Sequence, residues 1–238
     1  YSYVIRGTAK WEPTHALTAT LKVSANHSEV DNSSWNYVNY NCANGVSTLN
    51  PIYECKDQFV THQNNIPEGI AENFPRSKDD GQLFNDYSSF ATTLNLAYEL
   101  DTVTISSVTS AQQQVGVRLR FQSSNAGTWA TEDSTWRAIS TELRALTTFD
   151  GPINFLVGGL YQSTKRDFDQ FIMFAGLQDS TQSPENRYLA TTKTSFTKGE
   201  TLSAFGQVTW EIVPTLELAG GVRYTHETKD SFFTQPYN

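Results

Sequence analysis

The chain has 238 residues, with 17 Lys and Arg against 25 Asp and Glu for a formal net charge of −8, and only 18% of its residues are charged. A pI near 5.0 argues against nucleic acid, because phosphate binding needs clustered Lys and Arg. A mean hydropathy of −0.45 and the lack of a long apolar run exclude a membrane-spanning helix. They do not exclude a membrane-spanning barrel, whose strands are only half apolar.

Aromatic residues make up 13% of the chain and Met occurs once. Ser and Thr add roughly a fifth, a mix that favours strands over helices. Tyr1 is followed by no charged-then-apolar leader and Asn238 closes no obvious terminal element, so the chain reads as a piece of a longer one.

In chain order, Gly7 to Trp11 leads into Glu12-Pro13-Thr14-His15, where Pro13 fixes φ and removes a donor, as a turn requires. Leu17, Ala19, Leu21 and Val23 then alternate with Thr18, Thr20, Lys22 and Ser24, the period of a half-apolar strand. A stretch without such alternation follows, from about 26 to 87. It holds Trp35, Tyr37, Tyr40, Tyr53 and Phe59 around Cys42 and Cys55, with acidic residues beyond. An even cysteine count in this setting suits a disulfide in an oxidising compartment, and two unpaired thiols are the alternative. Closing about a dozen residues is worth roughly 3 kcal/mol on the chain-entropy argument. The aromatics offer rigid contact area for ligand capture, or they pack the loop on itself.

A second pair of strands runs from about Ser89 to Ser110, with Phe90, Leu94, Leu96 and Tyr98 on one face and a turn at Leu100-Asp101. After a second long gap, about 112–135, comes a third pair. Ile139, Leu143 and Ala145 oppose Ser140, Glu142 and Arg144, and Asp150-Gly151-Pro152 turns the chain into Ile153, Phe155, Val157 and Tyr161. A third gap, about 166–199, contains Phe168, Phe171, Ile172 and Ala175, spaced like one face of a short helix. The fourth pair runs through Leu202, Val208 and Trp210, turns at Pro214-Thr215 and returns through Leu218, Val222 and Tyr224 opposite Glu217 and Arg223.

The expectation is therefore all-β: about eight antiparallel, neighbour-paired strands of roughly ten residues. Ten residues at about 3.3 Å, tilted about 40°, reach roughly 25 Å, the height of an outer-membrane barrel's apolar band. Short and long connections alternate strictly, which places all short turns on one side of a membrane and long loops on the other. Lys22, Glu142, Arg144, Glu217 and Arg223 then face a wet lumen. A soluble sheet with one solvated face gives the same alternation strand by strand, but not the order of the gaps.

The stretch Leu202-Ser203-Ala204-Phe205-Gly206-Gln207-Val208-Thr209-Trp210 with Pro214-Thr215-Leu216-Glu217-Leu218-Ala219-Gly220-Gly221-Val222-Arg223-Tyr224-Thr225 resembles a strand–turn–strand unit of the TonB-dependent outer-membrane receptors. Gly7–Thr14 and Phe149–Phe155 look like further hairpins of that barrel. The resemblance covers strands and turns and fades in the long gaps. It implies that residues 1–238 are an open arc of a 22-stranded transmembrane barrel, with the plug domain and the remaining strands elsewhere. It also implies a place in the Gram-negative outer membrane and import of a scarce solute, most often a ferric siderophore. The partners implied are outer-membrane lipid and TonB with ExbB and ExbD, reached through the plug region.

Covalent chemistry finds no support. His15, His27, His62 and His226 share no metal-ligand spacing, no Gly-x-Ser-x-Gly elbow occurs, and no cofactor is implied. Two rival readings make definite demands. A complete eight-stranded barrel needs pairing between the regions of Tyr3 and Tyr224. A secreted carbohydrate-binding sandwich needs Leu17, Leu21, Leu94, Phe155 and Leu218 buried together.

Overall fold

The computed structural model describes residues 1–31, 42–46, 54–56, 65–74, 77, 80–123, 128–174 and 177–235, with the backbone alone for 115–123. The strands are β1 (Ser2–Trp11), β2 (Leu17–Val30), β3 (Asn85–Glu99), β4 (Val103–Ser123), β5 (Thr128–Thr147), β6 (Ile153–Phe174), β7 (Leu189–Val213) and β8 (Leu216–Thr234). They form one antiparallel sheet in which each strand pairs with its successor, so sheet order is chain order. A four-residue helix, α1 (Glu68–Ala71), lies between β2 and β3.

The turns at one end are short because their chemistry closes them locally. Leu100 N–H donates to the Val103 carbonyl at 2.8 Å across the β3–β4 turn. In the β5–β6 turn Asn154 takes the place of a backbone partner, its Oδ1 accepting from Phe149 N–H at 2.7 Å. Pro214 and Thr215 alone link β7 to β8.

At the opposite end two expectations need correction. Residues 112–135 and 166–199 are not long loops: β4 and β5 run on until only 124–127 separate them, and β6 and β7 until 175–188 do. The strands are correspondingly longer than ten residues, up to 25 in β7. Nor does a helix form at Phe168. Phe168 to Phe174 belong to β6 and as far as Met173 are laddered on both sides, Phe168 against Ser134 and Ser195. Backbone bonds to two neighbours outweigh a helical spacing of four apolar residues, because an isolated short helix is marginal in water. The longest connection between the described strands is the segment from 31 to 84.

Register sorts the side chains into two faces. Leu96, Ser107, Leu143, Gly159, Ala204 and Tyr224 are successive cross-strand partners on one face. Lys22, Thr93, Ser110, Ser140, Gln162, Thr201 and Glu227 are successive partners on the other. From Arg137 to Leu143 and from Ile153 to Val157 the first face is exposed and the second half-buried, so the sheet curls toward its polar side. Leu21, Leu94, Phe155 and Leu218 are 42, 37, 42 and 58% exposed, and Leu17 is half-buried. A sandwich would have buried all five together. Among the described residues β1 pairs with β2 alone and β8 with β7 alone, which removes the closed eight-stranded barrel. Both edge strands are exposed along almost their whole length.

Among the described residues one buried apolar cluster stands out, far from the short turns. Ile66, Ala71, Phe74 and Leu83, from around α1, pack with Trp129, Met173 and Leu189 at the ends of β5, β6 and β7. By strand alternation Trp129 and Met173 share the face of Ile139 and Tyr161, so the described residues around α1 cover the apolar side of the sheet where the strands overrun. Gly81 fixes the chain's return: φ is +70°, and a Cβ there would stand 1.9 Å from the Ile66 carbonyl oxygen.

Candidate functional site

All five residues expected to face a lumen lie on the polar face. Glu142 and Arg144 are an ion pair on β5, and Lys22 is reached through the row of Thr93, Ser110 and Ser140. Glu217 pairs with Glu211 beside the last turn. Arg223 is the most thoroughly held. Its guanidinium lies 5.4 Å from the Phe205 ring centroid and donates from Nη2 to Ser203 Oγ at 3.1 Å. Phe205 can lie flat because its cross-strand partner is Gly158, where a Cβ would come within 2.5 Å of the ring.

Farther from the short turns the same face opens into a hollow of about 620 Å³, with Gln114, Trp136, Arg166 and Phe168 among its walls. Register creates this grouping, since Gln114, Trp136 and Arg166 are successive partners on β4, β5 and β6. Cations and aromatic rings interleave here. Arg166 stands 5.2 Å from the Phe168 centroid, and Lys193 stands 5.6 Å from Phe168 and 5.2 Å from Phe233. Glu132, also in the wall, accepts a hydrogen bond from Gln170 Nε2. Burial is the strongest influence on its carboxyl and pushes the pKa up, against the lowering effects of Gln170, Arg166 and Lys193.

Of these hollow-lining residues the sequence marks only Phe168, and that as part of a short helix, because 112–135 and 166–199 read as loops. Lys193, Ser195 and Thr197 against Thr192, Thr194 and Phe196 carry almost no hydropathy contrast, so the alternation that marks the strands elsewhere stops short of the hollow. Cys42 and Cys55 form a disulfide, Cα–Cα 5.7 Å, around a short bridge between Val46 and Glu54. The proposed contact residues Trp35, Tyr37, Tyr40 and Tyr53 lie outside the described residues.

One constellation mimics a catalytic triad. His27 Nδ1 is 2.9 Å from Ser88 Oγ and 3.8 Å from Asp86 Oδ1. Both contacts converge on the same ring nitrogen, whereas proton relay needs the hydroxyl on one nitrogen and the carboxylate on the other.

Comparison with known proteins extends this geometry. No family model matches the chain. The ferric yersiniabactin uptake receptor FyuA from Yersinia pestis superposes with a TM-score of 0.69 at 16% identity, covering 98% of this chain and 31% of that one. The ferric citrate transporter FecA, in its unliganded form, gives 0.59 at 10% identity, covering 99% and 30%. This is the barrel fold of the TonB-dependent receptors. The Escherichia coli K12 ferric-catecholate import receptor Fiu shares it, with a TM-score of 0.53, 13% identity and coverage of 97% and 37%. In sequence, the pesticin receptors of Yersinia enterocolitica and Yersinia pestis are 32% identical over 92 residues, 39% of this chain. That match spans 12% of each pesticin receptor. These neighbours are transport receptors rather than enzymes. Among the described residues no helix is long and apolar enough to cross a membrane, which leaves a barrel's strands unaddressed.

Proposed function

We propose that residues 1–238 form part of the wall of a larger outer-membrane barrel, about eight strands of a 22-stranded TonB-dependent receptor, that imports a ferric siderophore or another iron complex. The carrying observation is the pairing of an exposed apolar outer face with a polar inner face that opens into a hollow of cations and aromatic rings. Two exposed edge strands support an incomplete arc, since an unpaired ladder cannot stand in hydrocarbon. Coverage of 30 to 37% of the solved neighbours supports the same partial share.

Lys22, Glu142, Arg144, Glu217 and Arg223 then line the lumen. The hollow around Trp136, Arg166, Phe168 and Lys193 lies toward the outer mouth, where a bulky anionic complex meets cationic and aromatic contacts together. Energy reaches such a receptor from TonB, ExbB and ExbD through the plug region. The segment from 31 to 84, stapled by Cys42–Cys55 and bearing Trp35, Tyr37, Tyr40 and Tyr53, is the outward loop that first meets the solute.

Uptake of radiolabelled ferric complexes by iron-starved cells carrying the full-length receptor tests this. Replacing Trp136 and Lys193 together with Ala should cut uptake at limiting ligand by about tenfold, as loss of one ring and one cation contact implies. Replacing Trp35 and Tyr37 with Ala tests the loop in the same assay. Unchanged uptake in the first variant discards the hollow as a solute site, and unchanged uptake in the second discards the loop.

A further inference from the structure

The segment from 31 to 84 leaves the sheet at the end of β2 and rejoins it at the start of β3, so its neck is the last rungs of the β2–β3 ladder. Those rungs are crowded with negative charge. Glu29 stands directly opposite Asp86, and the row continues through Arg118, Asp133 and Asp169 on β4, β5 and β6. Four carboxylates share one guanidinium along that row, and like charges directly opposite one another weaken a sheet.

One row nearer the short turns, on the same face, lies His27, opposite Tyr3 on β1 and Ser88 on β3. It stands about 25 Å above Leu17 by strand rise and tilt, at the upper limit of the apolar band. The side chains of His27 and Asp86 are 22 and 32% exposed, and His27 Nδ1 lies 2.9 Å from Ser88 Oγ and 3.8 Å from Asp86 Oδ1. That Asp86 oxygen is buried and takes no hydrogen bond from the described residues. On β1 the Tyr1 and Tyr3 rings flank the imidazole at centroid distances of 5.5 and 5.4 Å, and the Tyr1 hydroxyl bonds to Glu29. The Tyr1 amino nitrogen is engaged with the Glu29 carbonyl at 2.6 Å.

An imidazole changes charge between about pH 8 and 5, a range in which ordinary carboxylates stay ionised. Once protonated, both ring nitrogens donate, and the new cation sits beside two opposed carboxylates and two aromatic rings that favour it. We propose that His27, Asp86 and Glu29 form an acid-tightened clasp at the neck of the segment from 31 to 84. In acid His27 ties β2 to β3 and fixes both feet of the segment. As pH climbs the proton leaves, Glu29 and Asp86 face each other without it, and the last rungs open more often. The clasp needs the β1–β3 ladder alone and holds whatever solute the barrel carries.

Hydrogen exchange of the full-length protein at pH 5.5 and pH 8, corrected for the intrinsic exchange rate at each pH, tests this. Protection of the β2 end from 27 to 30 and the β3 start from 85 to 88 should be about threefold higher in acid, the modest gain of a part-exposed ion pair. His27→Gln should show equal protection at both pH values. Asp86→Asn, which removes the opposed charge, should be better protected than wild type at pH 8 and gain little in acid, whereas a merely structural Asp86 would lose protection at both. Exchange from 139 to 145 on β5 reports that the sheet is intact in each variant. A wild-type neck equally protected at both pH values overturns the clasp, and so does an acid gain that survives His27→Gln.

Discussion

At the residue scale, single groups carry definite consequences. Gly81 combines a left-handed backbone with contact against the Ile66 carbonyl. Gly81→Ala should therefore loosen the excursion from the sheet end, at a cost of about 1 kcal/mol for the backbone conformation and more for the clash. Hydrogen exchange across 65–84 should rise while exchange in β5 and β6 stays unchanged. Glu132 lies beyond the apolar band, and its carboxyl is raised mainly by burial. A raised acid favours the folded state below its ordinary value of 4.5, and that contribution is lost as pH climbs through the shifted value. Glu132→Gln should match wild type in acid and melt at higher temperature at neutral pH. Identical melting curves at both pH values would contradict the burial argument.

At the element scale, the two faces of one strand should respond oppositely to charge. Leu143, in the middle of the outer band, and Ser140, on the inner face, belong to the same strand. Leu143→Arg should cost about 2 to 4 kcal/mol in equilibrium unfolding from lipid vesicles. Ser140→Arg should leave unfolding nearly unchanged. The same strand also explains what was legible from sequence. Ile139 to Ala145 alternates aliphatic with polar residues, so strand, face and turn could be read directly. Thr128 to Arg137 alternates just as regularly but draws both faces from Thr, Trp, Ala and charged residues. Hydropathy contrast vanished there while the backbone ladder continued. Trp136 falls in that blind stretch, and only cross-strand register brings it beside Arg166 and Phe168 of β6 to form the hollow.

At the scale of the whole molecule, the fold shares its barrel architecture with receptors for ferric complexes, while 10 to 16% identity leaves the solute to the hollow and the loops. Sheet order equals chain order, so any further strands must add at the β1 and β8 edges. Both edges are exposed, and Val222 and Tyr224 on β8 are 81 and 72% exposed. The account rests on which face meets lipid. Cysteines placed one at a time from Ile139 to Arg144 in the full-length receptor can carry a nitroxide label, since Cys42 and Cys55 are already bonded to each other. In vesicles, labels at 139, 141 and 143 should be relaxed chiefly by oxygen dissolved in the hydrocarbon, and labels at 140, 142 and 144 chiefly by a water-soluble nickel chelate. Labels at 139, 141 and 143 that neither agent reaches would mean a dry interior on that face and contradict the barrel.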